Sequence, residues 1–157
     1  MFSIVGIDPG LAVVGFGVIA VEENNIHAVS YGCITTSADK SKGERLLRIY
    51  NHISTLFEKY APHAIAMERI FFSRNVTNAF SVAEVRGVIF LAAQQHRLPV
   101  FEYTPLQIKQ AITGSGKADK RQMQDMIKKL LGLKEIPKPD DAADGLSIAL
   151  CHIHTKL

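Results

Sequence analysis

Apolar residues alternate between two patterns along the chain, short β-branched runs and helical spacing, and the order of the two predicts the elements. Ser3 to Gly10 (SIVGIDPG) is an apolar run closed by Pro9-Gly10, the pattern of a buried strand, and its last residue before the turn is the acid Asp8. Val13 to Val21 is a second such run and Ile26 to Thr35 a third, joined by short links, which predicts an antiparallel meander. Gly15 and Gly17 fall on one face of the second strand, where missing side chains let another backbone or a ligand come close.

A helix follows: Ser41 with Glu44 makes a capping box, and Leu46, Ile49, Tyr50, Ile53, Phe57 and Tyr60 share one face until Pro62. His63 to Glu68 then reads as a short strand that again ends on an acid. Arg69 to Asn75 is a loop with two aromatics, Phe71 and Phe72, between Arg69 and Arg74. Exposed aromatics beside arginine suit base stacking and phosphate contact in unpaired nucleic acid, although paired phenylalanines also serve as core anchors.

The predicted helix from Val76 to Arg97 has only Glu84 and Arg86 as charges between Asn75 and His96, and its apolar residues cover more than one face. Burial on two sides is expected, by the chain's own sheet and by a second copy, and Gly87 in mid-helix suits close packing. Val100 to Tyr103 is a further short strand. Thr104-Pro105 opens a short helix with an N-cap and a proline at its first position. Gly114-Ser115-Gly116 breaks the chain before an amphipathic helix from Ala118 to Leu131. After Pro137 and Pro139 the last helix begins, with Asp140 expected at the N-cap and Asp141 and Asp144 one turn apart on one face, about 5–6 Å between Cβ atoms.

Composition adds bounds. At 157 residues, 47% of them apolar and 21% charged, the chain is the size of one domain, residues 1–157. Its longest uncharged apolar stretch, Gly87 to Gln95, is too short to span a bilayer, and no basic region precedes an apolar one at the N-terminus. A cytoplasmic protein without a membrane partner is expected. Cys33 and Cys151 stand outside any C-x-x-C pair and read as reduced small hydrophobes.

Net charge is only +3, but it is unevenly spread. Between Gln107 and Lys138, eight cations, among them Lys109, Lys117, Lys120 and Arg121, face three acids. Such a segment fits either a polyanion-binding surface or a solvated lysine face.

The acids decide which chemistry to expect. Asp8 alone could be a turn residue, and an acid at a helix start is favoured by the helix dipole. Asp8, Glu68, Asp141 and Asp144 together are four carboxylates from two strand ends and one helix start. If they converge, hard divalent cations relieve their repulsion most simply, and two ions about 3.5–4 Å apart can clamp an in-line phosphodiester displacement. With the basic segment, this points to nucleic acid as substrate.

The ordered set GIDPG, AMERIFF, AEVRG, VFEY, the Gly-Ser-Gly and lysine segment, and DAADGLSIA resembles the RuvC family of Holliday junction resolvases over nearly the whole length. The resemblance implies an α/β protein with the RNase H-like fold: a mixed five-stranded sheet, three antiparallel strands then two parallel ones, with helices on both faces. It implies a dimeric endonuclease that cuts four-way DNA junctions symmetrically in recombination and repair. Asp8, Glu68, Asp141 and Asp144 would be its metal-binding acids, served by Mg²⁺, two ions to a site, with Mn²⁺ able to substitute. Phe71 would correspond to the aromatic that stacks on a base near the junction. Lys109 and Lys120 would match the basic residues near the cut, with Lys117 an alternative to Lys120. Junction DNA and a second copy are the implied partners, and a branch-migration complex is a further one. The Asp8-Pro9-Gly10 turn before a glycine-containing strand also resembles the phosphate hairpin of actin-like and sugar-kinase ATP-binding modules, but those need two such lobes and this chain has length for one.

Overall fold

The first strand, β1 (Phe2–Asp8), is buried without a break from Ser3 to Ile7, and its alternating side chains supply two cores, Ile4 on one face and Val5 and Ile7 on the other. In the computed structural model, which describes residues 1–70 and 76–157, β1 is central to a five-stranded sheet. The other strands are β2 (Val13–Glu22), β3 (Asn25–Thr35), β4 (Ala64–Glu68) and β5 (Val100–Tyr103), in the spatial order β3-β2-β1-β4-β5. β1, β2 and β3 pair antiparallel, and β4 and β5 add on in parallel, as the resemblance implies. Strand bounds differ from expectation by a residue or two; His63 stays outside β4, with its Nδ1 accepting from the Ser3 amide at 3.1 Å.

Helix α1 (Lys42–Tyr60) carries the expected Ser41/Glu44 capping box and packs against α2 (Val76–Gln95). These two helices cover the sheet face of Val5, Ile7, Val18, Ile65 and Met67. The opposite face, with Ile4, Ile19, Ala64 and Ala66, is covered by α3 (Pro105–Thr113), α4 (Lys120–Leu130) and α5 (Asp140–Lys156). α2 behaves as half of the two-sided helix the sequence suggests: Val85, Ile89, Ala92 and Ala93 are buried against the chain, whereas Phe80, Phe90 and Leu91 are exposed.

Two helix starts differ from expectation. α4 begins at Lys120 rather than Ala118, because Asp119 takes the N-cap and forms a capping box with Gln122. α5 is capped by Pro139 with no side-chain bond, so Asp140 is the first helical residue and not the cap. The reason lies across the fold: the Asp140 carboxylate reaches Lys120 Nζ at 2.5 Å and accepts from Gln124 Nε2 at 3.1 Å, which takes it away from the α5 amides.

α5 is the most deeply set helix, buried at Ala142, Ala143 and from Gly145 to Ile153. Glycine makes this possible. Gly15 and Gly17 on β2 lie in register with Asp8 and Gly6 on β1, and all face α5. A Cβ on Gly6 would stand 2.0 Å from the Gly145 carbonyl oxygen, and one on Gly17 2.5 Å from the Leu146 amide nitrogen. The helix backbone therefore rests on the strand backbones, which fixes the first turn of α5 over the ends of β1 and β2.

Candidate active site

Period-two alternation puts Asp8 on the same face as Ile4 and Gly6, and Glu68 on the same face as Ala64 and Ala66, so both acids rise toward α5. Because β1 and β4 are parallel neighbours with Ile7 opposite Met67, their C-terminal ends bring Asp8 and Glu68 side by side. The glycine-seated start of α5 supplies the rest. The Asp141 main chain lies directly over Gly15, the residue paired with Asp8.

The outcome is a cluster in which carboxylate oxygens of Asp8, Asp141 and Asp144 all lie within 4.8 Å of one another. Glu68 stands outside that set but close enough to act on it. Burial, followed by the charges of Asp144, Glu68 and Asp141, pushes the Asp8 acid up to about 8, and Asp8 shares a hydrogen bond with Asp144. Asp144 is raised by the water its carboxylate loses against the sheet, and Glu68 is raised by burial and then by Asp144, with Lys109 and Arg86 acting in the opposite sense. A cluster that holds a proton because its acids are buried and repel one another is one that a hard cation would stabilise. Its donors, carboxylate oxygens alone, fit Mg²⁺ or Mn²⁺.

The cleft beside the acids is lined by Glu68, Lys109, Lys120, Gln124 and Asp144. Lys109 and Lys120 thus share the acid site, whereas Lys117 lines a separate groove with Ser115, Gln122 and Asp125. Lys120 is the nearer of the two alternatives, and its bond to Asp140 raises its pKa and lowers that of the acid. Arg69 lines a second opening beside Asp8 and Glu68, and Arg121 is exposed on α4. Phe71 and Arg74 lie outside the described residues.

Two residues here are not found by sequence reasoning. Arg86, only 7% exposed, donates to the Glu68 main-chain carbonyl and to the Glu102 carboxylate of β5. Gln124 reaches Asp140 from α4. Arg86 carries the one usable signal, one of only two charges in an apolar helix, though nothing local names its partners. Both cysteines are free; burial, then the Asp141 charge, raises the Cys33 pKa, which fits an unreactive thiol.

A mixed sheet of this order, with acids on adjacent central strand ends and on the helix packed across them, defines an RNase H-like nuclease. The sequence model of the family Crossover junction endodeoxyribonuclease RuvC matches residues 4–152, and the chain belongs to that family. It is 53% identical over 152 residues to the crossover junction endodeoxyribonuclease RuvC of Desulfitobacterium hafniense, covering 97% of this chain and 92% of the relative. The RuvC protein of Pseudothermotoga lettingae is 53% identical over 149 residues, covering 95% and 92%. Among solved structures, Thermus thermophilus RuvC in complex with Holliday junction substrate superposes with a TM-score of 0.94 at 35% identity, over 99% of this chain and 94% of that one. The yeast mitochondrial Holliday junction resolvase shares the fold at 18% identity, with a TM-score of 0.69 over 96% of this chain and 77% of that one. The chain is accordingly an endodeoxyribonuclease, and the ATP-binding alternative finds no support. Among the described residues no helix is long and apolar enough to cross a membrane.

Proposed function

We propose that this protein resolves four-way DNA junctions as a homodimer, by paired symmetric hydrolysis of two phosphodiesters, with Asp8, Glu68, Asp141 and Asp144 holding Mg²⁺ and Mn²⁺ able to replace it. The observation that carries the reading is the convergence of the Asp8, Asp141 and Asp144 oxygens within 4.8 Å in a chain of this family. When bound, two divalent ions would supply an acidified water and charge relief at the leaving oxygen. Asp8, with Glu68 at the end of the neighbouring strand and Asp141 and Asp144 on α5, would be one of the carboxylates that hold the ions, and it would give up its proton as they bind. Lys109 and Lys120, on the cleft wall, bring positive charge to the phosphate under attack. Arg69, Arg74, Lys117 and Arg121 would contact backbone phosphates, and Phe71 would stack on a base in the opened centre.

Dimerisation is supported by the outer face of α2. Phe80 is 63% exposed, Leu91 55% and Phe90 40%, and nothing lies within 4 Å of where a Gly87 Cβ would be. An apolar stripe with a gap at its middle suits close approach of a second copy about a two-fold axis, matching the pseudo-symmetry of a junction. The cytoplasm is the setting we infer, with a branch-migration complex as a further partner.

The test is a cleavage assay on a mobile four-way junction beside linear duplex of the same sequences, in magnesium, manganese, calcium and chelator, with ATP binding measured in parallel. Paired nicks at symmetric positions in magnesium and manganese, with binding but no cutting in calcium, are expected. Equal cutting of the linear duplex, or cutting in chelator, would refute the reading. Stoichiometric ATP binding would favour the kinase-like alternative.

A further inference from the structure

Two motifs, AEVRG on α2 and VFEY on β5, have no part in the four-acid account, and the structure joins them to each other. Arg86 of the first reaches Glu102 of the second, and its other guanidinium nitrogen donates to the main-chain carbonyl of Glu68. Register explains the meeting: Glu102 pairs with Met67, and Tyr103 with Glu68. The Tyr103 carbonyl accepts from the Arg69 amide at 2.7 Å, so the one peptide group that follows Glu68 is held at both its carbonyl and its N–H. One turn along α2, the Phe90 ring centre lies 5.8 Å from the Arg86 guanidinium carbon.

A guanidinium buried this far is tolerated only where its donors are used, and its planar fork serves a carbonyl and a carboxylate at once in a way a lysine ammonium does not. Glu68 has special need of such support. It is the last residue of a five-residue strand, and it stands outside the 4.8 Å set that ties the other three acids together. Where its carboxylate points therefore depends on its own backbone.

We propose that Arg86 is a positioning residue: braced by Glu102, it grips the Glu68 carbonyl and thereby sets the fourth carboxylate relative to the other three. This rests on Glu68 being a metal-holding acid. Supporting partners of metal ligands typically contribute about 10–100-fold to metal affinity or activity, which sets the size of effect to look for.

The experiment uses the full chain as wild type, Arg86→Lys, Glu102→Gln and Glu68→Gln. Melting temperature is followed against Mn²⁺ concentration, junction binding is measured in calcium, and single-turnover cleavage is measured in magnesium. Arg86→Lys should bind junction as wild type does, while the Mn²⁺ concentration giving half the thermal shift rises about tenfold and cleavage falls at least about tenfold. Glu102→Gln should move both in the same direction by less, and it carries the test should Arg86→Lys not fold. A wild-type Mn²⁺ midpoint in both variants overturns the proposal, including the case where melting temperature and cleavage fall together, which marks a purely structural pair. If Glu68→Gln itself keeps the wild-type midpoint and cleavage, the metal reading of Glu68 fails and the proposal falls with it. If Glu68→Gln is defective and Arg86→Lys is normal, only the proposal falls.

Discussion

Gly15→Ala should disable the active site from behind. A Cβ at residue 15 would lie 1.9 Å from the Asp141 carbonyl oxygen and 2.5 Å from its carbonyl carbon, both main-chain atoms that cannot rotate away. Contacts below 3.0 Å are essentially never seen for a real Cβ, so α5 must lift by at least about 1.1 Å, and by nearer 2 Å for relaxed van der Waals contact. The lift falls on the turn that carries Asp141 and Asp144, while Asp8, paired with residue 15, stays with the sheet. A misplacement of about 1 Å can cost 10²-fold in rate, and overpacking of this kind costs about 1–3 kcal/mol in stability. The assay pairs thermal melting with single-turnover junction cleavage, and Gly43→Ala, whose added Cβ meets nothing within 4 Å, is the control. Cleavage within a few-fold of wild type in Gly15→Ala would refute the claim that backbone contact sets the spacing of the acids.

Stability without metal should fall as pH rises. The folded-state pKa of Asp8 is raised to about 8 from 3.8, so the fold binds the proton more tightly than the unfolded chain does; the stabilisation is complete below about 4 and lost toward 8, and melting curves from pH 5 to 8 should show the decline, which Asp8→Asn should flatten. Saturating Mg²⁺ should reverse the slope, because the cation competes with that proton. Gly87→Ala should stabilise the helix by about 1 kcal/mol yet weaken self-association, measured by sedimentation; unchanged association would place the two-fold contact elsewhere. Asp141→Asn should abolish cleavage in magnesium while junction binding in calcium survives, whereas Asp140→Ala should leave the melting temperature unchanged and lower cleavage only as far as Lys120 loses its partner. The opposite pattern in that pair would show that Asp140, not Asp141, belongs to the site.

What the sequence made legible was whatever a residue and its near neighbours determine. Two apolar runs ending on an acid announce strands whose ends matter, and the Ser41/Glu44 spacing and the Thr104-Pro105 pair announce helix starts, all of which the structure bears out. Asp140 looked like a cap for the same reason, since an aspartate after Pro-Lys-Pro is a good local candidate. It was drawn instead to a cation twenty residues earlier in the chain, a competition that no local pattern records. Gly15 and Gly17 advertised a close approach without naming what approaches. Arg86 advertised itself only as a charge in an apolar helix and Glu102 not at all, because their meeting depends on β5 lying beside β4 and on Arg86 reaching both strands from α2.

The same division explains why the acid cluster can exist at all. Three carboxylates within 4.8 Å repel one another, and a helix free to slide would relieve this by moving its first turn outward. α5 cannot slide, because its middle is buried among β1, β2 and β4 and its backbone is seated on Gly6 and Gly17. The hydrophobic core thus holds the electrostatically unfavourable arrangement in place, and burial together with the unrelieved repulsion appears as the proton that Asp8 retains. Binding of a cation would then need little rearrangement of the chain, since the geometry is already set by contacts that involve no charge.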